Sequence, residues 1–169
     1  MSDVDRPARW PSLTVAAAAA IVLQATWLHA LTLRGGALDL VVIFVSWYAA
    51  TAGAARGLIY GVLCGLAEDA LALRTGAAHG LALALTGVVC GMGSRFVLPD
   101  SVLAIAGIVA IGTLVNAGVF WSAMSLGGYP AGLGTLHFHR ALWGALLDTL
   151  VFLALWSAAA WLRNRQSTR

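Results

Sequence analysis

The sequence Gly57-Leu58-Ile59-Tyr60-Gly61-Val62-Leu63-Cys64-Gly65-Leu66-Ala67-Glu68-Asp69 is apolar over most of its length and has glycine at every fourth position. Residues four apart lie on nearly the same face of an α-helix, so the three glycines and Asp69 form one row. A row of small residues lets a second helix approach closely inside a bilayer, where van der Waals contact drives association. A carboxylate on that row faces protein or a cavity, because contact with acyl chains would be costly. We therefore predict a helix that serves as a hub against which other helices pack.

The composition indicates a membrane protein. Of the 169 residues, 60% are hydrophobic and 10% are charged, and the mean hydropathy is +0.86. A water-soluble domain needs more charge than this to cover its surface. The length accommodates about six spans of ~20 residues and leaves no room for a soluble domain. The predicted fold class is therefore an all-α membrane protein with six transmembrane helices.

The apolar segments set the predicted domain boundaries. A tail of residues 1–11 precedes a six-helix transmembrane domain of residues 12–162, and a second tail of residues 163–169 follows it. The predicted spans are residues 12–31, 38–55, 57–73, 77–96, 101–125 and 140–162. The glycine-rich connection 126–139 is the longest, and we expect it to lie on the membrane or to dip into it.

The arginines predict an orientation. All ten basic residues are Arg, and three of them, Arg34, Arg74 and Arg140, fall in the odd-numbered loops. The other seven share the side of the two tails. Because positive residues are retained on the cytoplasmic side, both termini are predicted to be cytoplasmic.

A second row of glycines lies in the fourth predicted span. Gly80, Gly87 and Gly91 are seven and four residues apart and share one helix face. This row is a plausible packing partner for the row in the third span.

Several polar residues fall inside the apolar segments or at their edges. Asp39 opens the second span, where its charge complements the helix dipole. We expect Asn116 to form a hydrogen bond between helices. Intramembrane carboxylates usually find partners, so we expect Asp69 to pair with Arg74 or His79, and Asp148 with Arg140. The full set of candidate buried polar residues is Gln24, Asp39, Glu68, Arg74, His79, Asn116, Arg140 and Asp148. The outer members of this set fit a small-molecule pocket, a docking groove or a structural network, and the sequence leaves all three open.

The sequence contains no enzyme signature. It has no HExxH helix and no Gly-x-Ser-x-Gly motif, and a phosphate-binding loop would need a lysine, which is absent. His137 and His139 flank Phe138 on a predicted loop, an arrangement that does not by itself indicate a metal site. No catalytic residue, metal or cofactor is therefore predicted.

Three segments resemble the MreD family of bacterial rod-shape-determining proteins. They are Leu23-Gln24-Ala25-Thr26, Leu38-Asp39-Leu40, and the glycine row that continues through Gly65-Leu66 to Asp69. The chain departs from the family in having Ala37-Leu38 where the family usually has proline before the Asp. It also has Val62 where the family commonly has phenylalanine.

The resemblance implies a non-enzymatic inner-membrane subunit of the cell-elongation (rod) complex. Such a subunit would bind MreC directly within the membrane. Through MreC it would join MreB, the glycan polymerase and the penicillin-binding transpeptidase of peptidoglycan synthesis. The fold implied is similar to the six-helix substrate-capture S-components of energy-coupling-factor transporters. The helix-packing or partner-binding candidates are then Gly57, Gly61, Gly65, Asp69, Gly80, Gly87 and Gly91.

The alternative is a vitamin-capture S-component itself. Its size and helix count would be the same, and the run Ala16 to Ala20 would dock on a transporter scaffold. The predicted outer loops are short except the last, which leaves little chain to close over a ligand. A channel or proton path through Asp69 and Asp148 is a third interpretation, but the two acids form no graded relay across the inner half.

Overall fold

The computed structural model describes residues 15, 18–24, 32–72, 76–96, 101–128 and 133–167. Over these residues the chain is all-α apart from one short two-stranded ribbon, which confirms the all-α part of the predicted class but not its six transmembrane helices. The elements are α1 (residues 18–24), β1 (Thr32–Leu33), β2 (Gly36–Ala37), α2 (Leu40–Ala52), α3 (Ala54–Ala72), α4 (Ala78–Gly93), α5 (Val102–Leu126) and α6 (Gly134–Ser167). A short 3-10 turn, Ser94–Phe96, follows α4.

Local capping sets the ends of α2 and the start of α5. The Asp39 side chain accepts a hydrogen bond from the backbone N–H of Val42 at 3.1 Å, so the expected role of Asp39 at a helix start is confirmed. Gly53 ends α2 with a φ of +90°, a conformation that favours glycine. Ser101 caps α5 by accepting a hydrogen bond from the N–H of Ala104 at 3.4 Å.

The ribbon of β1 and β2 packs against α6. Arg34 and Gly35 form its turn, both with positive φ, and the pairing joins Thr32 to Ala37. Gly36 is buried directly against the backbone of α6 around Gly144, where a side chain would not fit. The sequence predicted only a tight link here, and the structure adds that this link is docked on a helix.

The core is centred on α2, which packs against α3, α4, α5 and α6. Val41, Val42 and Val45 are at most 1% exposed, and they meet Leu83 of α4 and Val109 of α5. Since α2 is covered on nearly all sides, its sequence is apolar throughout rather than on one face. By contrast, few described residues of α6 are buried, namely Gly144, Ala145, Asp148 and Phe152.

Two described helices are long and apolar enough to cross a membrane, Val102–Leu126 and Gly134–Arg165. The 13 residues of α2 extend only about 20 Å at 1.5 Å per residue, which is less than the ~30 Å of a bilayer core. Helix α4 has 16 residues. Helix α3 has 19 but carries Arg56, Glu68 and Asp69.

The predicted loop 126–139 is wrong over its second half. Helix α6 begins at Gly134, so His137 and His139 lie on a helix rather than on a loop. Glycines and Pro130 suggested a long loop, but residues 135–143 contain no glycine or proline, and Gly134 itself packs against the ring of Trp121. At its other end α6 continues past residue 162 to Ser167. Residues 129–132, the tail of residues 1–11 and Arg74 lie outside the described residues.

Candidate functional site

The glycine row of α3 lies against the backbone of α4. Gly57 contacts Gly87, Gly61 contacts Leu83, and Gly65 contacts the backbone of His79 and Gly80. The two helices run antiparallel, since the residue numbers rise along one and fall along the other. A Cβ added at Gly57 would lie 2.6 Å from the carbonyl oxygen of Gly87, a separation that real side chains do not show. The absence of side chains at these glycines therefore allows α3 and α4 to pack this closely.

The predicted second row supplies the other side of this contact. Gly87 faces Gly57, and Gly91 lies against the backbone of Gly53 and Ala54. Gly80 is less tightly enclosed, because an added Cβ there would come no closer than 3.4 Å to Asp69 Oδ2 and to a Leu66 methyl group. The contact expected between the two rows is thus present, with its tightest part between Gly57 and Gly87 and around Gly61.

Asp69 caps the N-terminus of α4. Its Oδ1 accepts a hydrogen bond from the backbone N–H of His79 at 3.1 Å, and Oδ2 accepts one from Gly80 at 2.8 Å. The N-cap residue of α4 itself, Ala77, contributes no side-chain hydrogen bond. Asp69 therefore supplies from α3 the acceptor that α4 lacks, and its charge lies at the positive end of the helix dipole.

The Asp69 carboxylate also contacts the His79 ring. Oδ1 lies 2.9 Å from Nδ1 of His79, and the Asp69 side chain is only 6% exposed. Of the two partners expected for Asp69, His79 is therefore present, and Arg74 lies outside the described residues. The glycine row sets the distance between α3 and α4. Asp69 fixes the point on α3 opposite which α4 begins.

A second buried carboxylate caps the entry to α2. Asp148 of α6 is fully buried; its Oδ1 accepts a hydrogen bond from the Asp39 backbone N–H at 2.8 Å, and its Oδ2 accepts one from the Thr113 hydroxyl, also at 2.8 Å. Gln24 of α1 completes the group by donating from Nε2 to Asp39 Oδ1 at 3.2 Å. Its Oε1 accepts from the Val41 N–H at 3.4 Å. Side chains from α1, α5 and α6 therefore converge on the first turn of α2.

The expected pair between Asp148 and Arg140 is wrong. The two residues are eight positions apart on one helix, which separates them by about 12 Å along its axis. The aliphatic part of the Arg140 side chain instead lies along Gly35 of the ribbon. Sequence reasoning missed Thr113 as the partner; the available signal was a hydroxyl in the middle of an apolar span, which needs an acceptor.

The expected interhelical hydrogen bond of Asn116 is also wrong. Its Oδ1 is buried and has no hydrogen-bond partner among the described residues. One turn further along α5, the Phe120 ring packs on the His79 ring of α4, with centroids 4.5 Å apart. The contact between α5 and α4 at this level is therefore between aromatic rings.

The remaining polar residues make none of these capping hydrogen bonds. Glu68 is partly buried on α3, and Arg140 is exposed on α6. The Arg34 guanidinium stacks over the Trp143 ring at 4.5 Å, which ties the ribbon turn to α6. The predicted polar residues are therefore divided among two buried capping groups, partly buried Glu68 on α3, and Arg34 and Arg140 beside the ribbon.

Two grooves open along α6, and neither is lined by this polar set. One lies against α2 and is lined by Ile43, Phe44, Trp47, Phe152, Leu155, Trp156 and Ala159. The other lies against α5 and is lined by Leu114, Ala117, Gly118, Trp121, Gly134, His137, Phe138 and Ala141. In the second groove, His137 Nε2 lies 3.1 Å from the Ala117 carbonyl oxygen. Within the described part of the chain, no three His, Cys, Asp or Glu residues are grouped to hold a metal ion.

Comparison with family models, with curated proteins and with solved structures found no match to this chain. Function is therefore inferred from the geometry of the helix contacts and from the resemblance in the sequence.

Proposed function

We propose that the protein is a non-enzymatic subunit of the bacterial cell-elongation complex and binds MreC within the cytoplasmic membrane. The observation that carries the proposal is that the glycines, Gln24, Asp39 and Asp69, on which the MreD resemblance mainly rests, make contacts between helices. Gln24 is hydrogen-bonded to Asp39, the glycine row meets α4, and Asp69 caps α4. Residues used in this way favour a rigid framework for binding a partner rather than a reaction centre.

The proposal places six helices across the membrane, in an arrangement similar to the S-component fold. Helices α2, α3 and α4 are shorter or more charged than an isolated span, but they pack against one another. Two carboxylates also have partners inside the protein: Asp69 of α3 accepts a hydrogen bond from the start of α4, and Asp148 of α6 accepts one from the backbone just before α2. Non-helical backbone is tolerated at membrane depth where protein covers it. The docking of Gly36 on α6 provides such cover for the ribbon that precedes the short α2.

Both termini are cytoplasmic in this proposal. Arg56, Arg95 and Arg163 are exposed at the ends of α3, α4 and α6 that would face the cytoplasm. Arg34 and Arg140 lie at the opposite end of the bundle. The excess of Arg on the first side supports this orientation by the positive-inside rule.

The glycine row of α3 is occupied by α4, so MreC would bind to another face of the bundle. The row and its Asp69 cap then contribute to MreC binding indirectly, by holding the helices in a fixed arrangement. An indirect role means that substitutions in the row lower the stability of this protein together with its binding of MreC. A direct role would lower MreC binding without lowering stability, so the two roles are separable by experiment.

Depletion of the protein in its native host tests the proposal. We expect depleted cells to round up and lose the patterned distribution of MreC, and wild-type protein supplied from a second gene copy to restore both. Normal rods after complete depletion would contradict the proposal. Loss of vitamin uptake without a change of shape would instead support the S-component alternative.

A further inference from the structure

The groove between α2 and α6 is apolar and rich in aromatic rings. Phe44 and Trp47 of α2 face Phe152 and Trp156 of α6 across a volume of about 180 Å³. This is similar to the ~150 Å³ apolar cavity that stays dry and binds small hydrophobic molecules. The groove is therefore of a size to take a run of methylene groups.

A positively charged side chain, that of Arg163, lies at one end of the groove. Phe152, Trp156 and Ala159 line the groove at spacings of four and three residues, and Arg163 follows four residues later, so all lie on one face of α6. The Arg163 guanidinium is 5.8 Å from the centre of the Trp156 ring. The side chain is exposed, and no described carboxylate lies within ion-pair distance of it.

We infer that this groove binds an anionic phospholipid, with an acyl chain against the aromatic rings and the headgroup phosphate on Arg163. The apolar lining fits a hydrocarbon chain, and the guanidinium complements the charge of a phosphate and matches its geometry with paired donors. An apolar groove with an exposed cation at one end matches the polarity of a phospholipid, which has an apolar chain and an anionic headgroup. The proposed topology puts Arg163 at the cytoplasmic surface, where headgroups of the inner leaflet lie.

A second stacked arginine provides a matched control. The Arg165 guanidinium lies 3.8 Å from the centre of the Trp161 ring. Two positions along a helix correspond to a rotation of about 200°, so Arg165 points away from the face that carries Arg163. Both residues have the same charge and lie within about 3 Å of each other along the helix axis, but only Arg163 continues the groove.

This inference rests on the membrane location in the proposed function and is independent of MreC. The test is native mass spectrometry of the full chain in detergent, with phosphatidylglycerol or phosphatidylcholine of identical acyl chains added. We expect about fivefold stronger retention of phosphatidylglycerol, the ratio that one arginine near the membrane surface provides. Arg163→Gln should bring the ratio close to one, and Arg165→Gln should leave it unchanged. Trp156→Ala should lower the retention of both lipids, with normal gel-filtration behaviour as the check on folding.

Three outcomes would overturn the inference. Equal retention of the two lipids by the wild-type protein would show that Arg163 does not select an anionic headgroup. Displacement of phosphatidylglycerol by inorganic phosphate alone would show an anion site without a lipid groove. A dimer that excludes lipid and separates on Trp156→Ala would show that a second copy occupies the groove. Because the assay contains no MreC, none of these outcomes bears on MreC binding.

Discussion

Asp69 on α3 accepts a 2.8 Å hydrogen bond from the backbone N–H of Gly80 on α4, so a side chain of one helix caps the helix that follows it. The glycine row and Asp69 belong to the same helix face, and both act on the same neighbour. The spacing of four between Gly65 and Asp69 is what places the carboxylate at the start of α4.

Loss of the Asp69 cap should destabilise the protein. Asp69→Ala leaves the N–H groups of His79 and Gly80 without their acceptor, and we expect a loss of about 1–2 kcal/mol in unfolding free energy. Asp69→Asn keeps one acceptor oxygen and should lose less. The measurement is thermal unfolding in detergent, with Ser157→Ala as the control, because the Ser157 hydroxyl is exposed and bonds only within its own helix. An Asp69→Ala protein that melts with the wild type would contradict the capping role.

A methyl group at Gly61 should force α3 and α4 apart. Gly61→Ala brings a Cβ against the Leu83 backbone, and overpacking of this kind costs about 1–3 kcal/mol. Gly107→Ala on α5 is the matched control, because a Cβ at that position has no atom within 4 Å. The control should be neutral or slightly stabilising, since alanine is the better helix former. Equal unfolding midpoints for the two variants would refute the close contact.

Asp148 and Thr113 should be energetically coupled. Asp148→Asn and Thr113→Val each disturb the 2.8 Å hydrogen bond between them, so a double-mutant cycle should give a coupling of about 0.5–3 kcal/mol. Thr149→Val is the control for loss of a hydroxyl, since Thr149 bonds only to the Ala145 carbonyl of its own helix. Strict additivity of Asp148→Asn and Thr113→Val would show that the bond contributes nothing.

The contacts that follow from helix periodicity could be predicted from the sequence, and those that depend on the depth of an element could not. The two glycine rows were recognisable because residues at steps of four and seven share a face whatever the surrounding fold. The role of Asp39 followed from its position before an apolar run. The partners of Asp148 could not be predicted in this way. They depend on the level at which α2 begins within the bundle, which the sequence pattern does not give. Arg140 was close in sequence but about 12 Å distant along the helix.

Cysteine labelling tests the proposed topology. Native Cys64 and Cys90 are both buried, so they should contribute little background. A membrane-impermeant thiol reagent applied to intact cells should label Gly132→Cys and should not label Ser167→Cys until the membrane is opened. Labelling of Ser167→Cys in intact cells would rule out the six-span arrangement.

Recovery of MreC with the affinity-tagged protein from native membranes tests the central claim most directly. We expect MreC to be recovered with the wild-type protein and with Gly107→Ala in equal amounts per molecule. Asp69→Ala should recover less MreC in proportion to its loss of folded protein, because the cap acts on the bundle rather than on MreC itself. Abundant, folded wild-type protein that recovers no MreC under these conditions would contradict the account.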